Sequence, residues 1–235
     1  MDFALGETQQ AVAQAAAHVL DRSPPLPAPD DRAQREEALW KELGQAGLLG
    51  LALPAWLGGD GLGVMDTAVL LTEVGRRAAP VPALATLATG VLPVIRWGGR
   101  ELQQALLDGV AAGDTILTAA VREPSDPMPP APATTVSNGG VSGVKTGVQY
   151  GAAARWILVP ASLASGGTTV AVVDPSADGV RLRPTPSSAG GPEYTLHLDD
   201  APVAHLLGDG RAVTGPRIMP LSARLTRSTS RATRP

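Results

Sequence analysis

Apolar positions recur at helical spacing through the first 113 residues and at strand spacing after that. From Leu5 to Leu20, the positions Val12, Ala16, Val19 and Leu20 fall on one face, and Ser23-Pro24-Pro25 closes the run, which predicts a first helix. Asp30 or Asp31 is placed to cap a second helix whose apolar members are Leu39, Trp40, Leu43 and Leu48, weakened by Gly44 and Gly47. Pro54-Ala55-Trp56-Leu57-Gly58-Gly59-Asp60-Gly61-Leu62-Gly63 is too rich in glycine to continue it and reads as a loop. Asp66 or Thr67 then opens a third helix carrying Val69, Leu70 and Val74 to Gly75. Two more, Ala83 to Trp97 and Arg100 to Ala112, are joined through Gly98-Gly99.

From Asp114 the period shortens. Thr115 to Arg122, Gly140 to Gln149, Trp156 to Pro160, Thr168 to Asp174, Val180 to Pro184 and Tyr194 to Leu198 are β-prone runs separated by turn residues. Helices followed by strands predict an α+β chain in two layers. The expected divisions are an all-α domain over 1–113, a small antiparallel β-barrel-like domain over 114–213 and a tail over 214–235.

Composition narrows the chemistry. Of 235 residues 44% are hydrophobic and 17% charged, enough to bury a core, with only 3% aromatic, so Ala, Leu and Val must fill it. With no cysteine, thiolate nucleophiles, disulfides and thiolate zinc sites are excluded. His18, His197 and His205 are the only imidazoles and lack the spacing of a metal motif. His18 is expected on the polar face of the first helix and His197 on the exposed face of a strand, and Asp199-Asp200 before Ala-Pro suggests a turn. The start Met1-Asp2-Phe3 has no basic leader and no apolar run reaches membrane length, so a cytoplasmic protein is expected.

The net charge of −3 argues against nucleic acid as a partner. That charge is uneven: residues 216–235 hold Arg217, Arg224, Arg227, Arg231 and Arg234 and no acid, and removing those five leaves −8 for the rest. The Ser/Thr/Arg-rich tail lacks apolar periodicity and is expected to be disordered, with the change of character that a shifted reading frame would produce.

Short catalytic motifs are missing. The Gly58 to Gly63 run has no dinucleotide frame, Gly143-Val144-Lys145-Thr146 misses the P-loop spacing, and Gly140-Val141-Ser142-Gly143 misses the nucleophile elbow. What carries information is the order of weaker pieces: Pro54 to Gly63, Leu71-Thr72-Glu73-Val74-Gly75-Arg76, Glu123-Pro124, Gly140 to Lys145, Ala154-Arg155-Trp156-Ile157-Leu158-Val159 and Val203 to Gly210. In that order they resemble the acyl-CoA dehydrogenases over residues 3 to 213.

The resemblance implies the family's helical N-terminal and β-domains without its C-terminal four-helix domain, which in the family supplies the catalytic glutamate. Family chemistry removes a proton from Cα and a hydride from Cβ of an acyl-CoA thioester, the hydride passing to FAD. The positions matching flavin contacts are Ala119, Val121 and Arg122 on one strand end and Gly147, Val148 and Gln149 on another; Ser125 matches a residue near the CoA moiety. This chain departs from the family there. Arg122 stands where Thr precedes Glu-Pro, and Gly147-Val148-Gln149 replaces Trp-Ile-Thr or Trp-Ile-Ser, so an aromatic platform and hydroxyls are lost. No catalytic residue is assigned.

These departures resemble the degenerate chains of actinobacterial heteromeric acyl-CoA dehydrogenases. They imply a subunit contributing to FAD-dependent α,β-desaturation of an acyl-CoA, inactive alone and dependent on a homologous subunit, with an electron-transfer partner when active and bulky steroid-type thioesters as candidate substrates. A non-catalytic interaction scaffold and a frameshifted remnant of a complete dehydrogenase are the alternatives.

Overall fold

The computed structural model describes residues 4–22, 32–129, 131–187 and 191–208. The helix end expected at Ser23 to Pro25, the cap expected at Asp30 or Asp31 and the tail expected over 214–235 lie outside these residues.

Three helices open the chain: α1 (Glu7–Asp21), α2 (Arg32–Gln45) and α3 (Val64–Arg76). The inward positions of α1, namely Val12, Ala16 and Leu20, are the ones the spacing singles out. His18 is exposed, as expected. At α3 the start moves two residues upstream of Asp66, because the Asp66 carboxylate reaches back to accept the Gly63 N–H at 3.0 Å. An acid in this first turn also faces the positive end of the helix dipole. The preceding loop folds back on itself, with Gly61 N–H donating to Leu53 O at 2.8 Å and Leu62 N–H to Leu51 O at 2.7 Å.

The fourth expected helix is two elements. Leu84–Val91 is a π-helix that runs directly into α4 (Leu92–Trp97), and the Leu92 N–H bonds to Leu87 O five residues back. Pro93 has no N–H to continue the ordinary ladder, and the widened turn absorbs that loss. α5 is Arg100–Leu107, shorter than expected, since Gly109 at φ +79° and Gly113 at φ +71° take the chain through left-handed turns before Asp114.

The strands are β1 (Leu117–Ala119), β2 (Thr135–Ser137), β3 (Gly140–Gln149), β4 (Trp156–Leu163), β5 (Thr168–Val173), β6 (Val180–Thr185), β7 (Glu193–Pro202) and β8 (His205–Leu207). The sequence pattern does not single out β2 or β8, each only three residues long. Neither does Asp199-Asp200 end its strand: β7 continues to Pro202, with Asp200 at φ +50° where the register against β3 shifts. The sheet runs β6-β7-β3-β2-β4-β5-β8, with β1 beside β4. Pairing is antiparallel except that β1 and β2 both lie parallel to β4.

Two cores result. One fills the helical half and extends into the sheet through Leu117, Leu158, Val172 and Leu207. The other lies within the β-domain around Ala120, Val141, Val148, Ile157, Val159 and Leu196. The apolar face of the sheet therefore binds the two halves into one body. They pack tightly at Gly90, where a Cβ would come within 2.5 Å of the Leu117 Cβ.

Candidate cofactor and substrate site

β1 and β2 are two halves of one interrupted strand. Leu117 to Ala119 pair with Trp156 to Leu158, Thr135 and Val136 pair with Ser162 and Leu163, and both segments lie on the same edge of β4. On their other side runs β3, which pairs Thr135 with Ser142 and bridges Thr146 to Arg122. The chain between Glu123 and Thr134 leaves the sheet and returns.

A buried ion pair occupies the gap. The Lys145 ammonium donates to Glu123 Oε1 at 2.8 Å, with the lysine side chain 0% exposed. The same carboxylate accepts the Ala133 N–H at 2.8 Å, the Thr134 N–H at 2.9 Å and the Thr134 hydroxyl at 2.8 Å. Burial pushes the Glu123 carboxyl upward, but the Lys145 and Thr134 contacts and the Ala133 N–H outweigh it and bring its pKa down to about 2. Burial pulls Lys145 below its usual range while Glu123 opposes that shift. The two side chains together stand in for hydrogen bonds that the interrupted strand cannot make.

This clamp brings the two expected strand ends together. Thr146 N–H donates to Arg122 O at 2.9 Å, and the Arg122 side chain lies along Gly147, where a Cβ would sit 3.0 Å from Nη1 and 3.3 Å from Cδ. Gly147 is at φ +65°, which glycine adopts without strain. Ala119 is half-buried against the helical core, while Val121 is 40% exposed. Val148 turns its side chain wholly into the β-domain core, and Gln149 is exposed at the end of β3. Ser125 is also exposed, in a turn closed by Glu123 N–H to Asp126 O at 2.9 Å.

Glu123 and Lys145 escape sequence reasoning as site residues. A weak signal is present: Lys145 is one of two lysines among nineteen basic residues and sits mid-strand in an apolar stretch. Beside the strand ends lies a cleft of about 540 Å³ between the halves, lined by Leu71, Val74, Pro80, Val81 and Leu84 from the helical side and by Gln149, Tyr150 and Glu193 from the sheet. Its walls are largely apolar, as suits an aliphatic or alicyclic group.

The residues present do not fit a flavin ring platform. The flat group at the strand junction is the Arg122 guanidinium, position 147 offers no side chain, and the Val148 side chain is committed to the core. No group of three or more metal-ligating side chains occurs among the described residues.

Residues 6–114 match the family model described as the acyl-CoA dehydrogenase N-terminal domain. Acyl-CoA dehydrogenase FadE28 of Mycobacterium tuberculosis is 43% identical over 204 residues, 87% of this chain and 54% of its own length. The chain belongs to the acyl-CoA dehydrogenase family. It spans about half the length of the curated relatives it matches. Among solved structures, a variant of the Tcur3481–Tcur3483 steroid ACAD superposes with a TM-score of 0.79 at 34% identity, covering 88% of this chain and 58% of that one. The ChsE4–ChsE5 complex from Mycobacterium tuberculosis gives 0.75 at 30%, with the same coverage. An acyl-CoA dehydrogenase complexed with FAD from Bacillus anthracis shares the fold at 0.76 and 23%, covering 87% and 38%. Among the described residues no helix is long and apolar enough to cross a membrane.

Proposed function

We propose that this chain is the flavin-free partner subunit of a heteromeric acyl-CoA dehydrogenase, acting with a homologous chain that holds FAD in the α,β-desaturation of an acyl-CoA thioester. The observation that carries this reading is the Arg122 guanidinium lying along a bare Gly147 at the strand junction. The likeness to a steroid ACAD and to a two-protein complex supports both the partner and a bulky, steroid-like acyl group. The apolar cleft between the halves is roomy enough to contribute to binding such a group.

The role left to this chain is support and shape. Its sheet holds the helical half in place, and its cleft presents apolar walls from which water is excluded when a partner closes over them. Electron transfer and proton abstraction are assigned to the complete homologous chain. The test is an assay of acyl-CoA-dependent dye reduction by the two chains made together and separately. Activity found only in the co-produced complex supports the reading; full activity of the homologous chain alone overturns it and leaves an interaction scaffold.

A further inference from the structure

The Glu123–Lys145 pair has a geometric property that an ordinary buried ion pair lacks. Glu123 is the first residue of the excursion from the sheet, and Ala133 and Thr134 are the last; its two carboxylate oxygens reach both of the latter. Lys145 holds the carboxylate from beneath, out of β3, one residue before the Thr146 that bridges Arg122. The returning arm has a second tie, since Ser162 Oγ donates to Pro132 O at 2.7 Å and Ser162 N–H to Thr134 O at 2.8 Å. Gly143 leaves room for this arrangement: a Cβ there would come within 2.5 Å of Thr134 Oγ1 and 2.8 Å of its Cα.

We propose that the Glu123–Lys145 pair is a latch that closes both roots of the excursion at once. Through it, Arg122 on the strand side and Ser125 on the loop side hold their surface positions by way of contacts that neither side chain makes. The latch fills the gap where β1 and β2 would otherwise be one strand, so its release frees the excursion without unpairing β4 from β5 or β3 from β7. Both of those ladders are secured by their own backbone registers. Opening is therefore local, a property distinct from general fold stability.

Hydrogen exchange on the full chain tests this, comparing Glu123→Gln with the parent. The amide keeps the shape and loses the charge. Removing a charge-assisted contact accelerates exchange at the Ala133, Thr134 and Thr146 amides by roughly ten- to a hundredfold more than at the Val159 and Ala171 amides of the β4–β5 ladder, which report any loss of global stability. An equal acceleration at all these sites means the pair only stabilises the fold and overturns the latch. Should Glu123→Gln fail to fold, Thr134→Val removes one hydroxyl contact and leaves the ion pair. A local rise of about fivefold at Ala133 and Thr134 then supports the latch, and unchanged exchange there overturns it.

Discussion

At the residue scale the buried charges and the crowded glycines dominate. Replacing Glu123 by Leu leaves the Lys145 ammonium in a dry interior without a partner, and removing one member of a buried pair costs about 3–5 kcal/mol. Urea denaturation of E123L is expected to show a loss of that size. The pH dependence has a defined sign. Glu123 titrates near 2 when folded, below its ordinary 4.5, so its contribution is fully present above about pH 5 and is lost as pH falls toward 2. Stability measured from pH 6 to 3 should decline, and the decline should be shallower in the Glu123→Gln, Lys145→Met double variant. Gly59 is constrained by backbone, since a Cβ would lie 2.1 Å from Leu53 O and 2.4 Å from Gly50 O. Gly59→Ala is expected to cost about 3 kcal/mol in the same measurement, as overpacking against main chain cannot be relieved by a side-chain rotation.

At the scale of elements, what the sequence makes legible follows from which interactions are periodic. α1 and α3 can be read from spacing because each buries one regular face, and the extent of β3 matches the β-prone run from Gly140 to Gln149. The π-helix is hidden, since its apolar residues suit an ordinary helical period and only Pro93 hints at a lost donor. β2 is hidden for a different reason. Three residues behind a proline-rich segment carry no period, and their place is set by Thr134 and Glu123 across eleven residues of chain. The same non-locality conceals the clamp, while the strand ends it joins, at Val121 to Arg122 and Gly147 to Gln149, can be located from the family pattern. Contact between elements yields a further expectation. Gly90→Ala pushes the π-helix away from Leu117, where the two halves meet. A cost of about 2 kcal/mol would lower the Tm by roughly 4–8 °C in a chain of this size.

For the whole molecule, the fold and the family are settled together, and the activity proposed for it is one that a second chain completes. The helical and sheet halves share one core through Leu117, Leu158, Val172 and Leu207, so this portion of the family architecture stands as a unit. In the proposed reading the homologous chain holds the flavin. On that reading, Arg122 beside Gly147 is the contact that keeps the flavin ring off this chain, and the apolar cleft next to it is the surface offered to the acyl group. The most direct measurement is flavin content: the chain is purified alone and together with a complete homologous chain, and released flavin is quantified against protein. The account predicts a colourless chain alone and one flavin for each pair of unlike chains in the complex. Flavin retained by this chain alone, or a colourless complex, would contradict it.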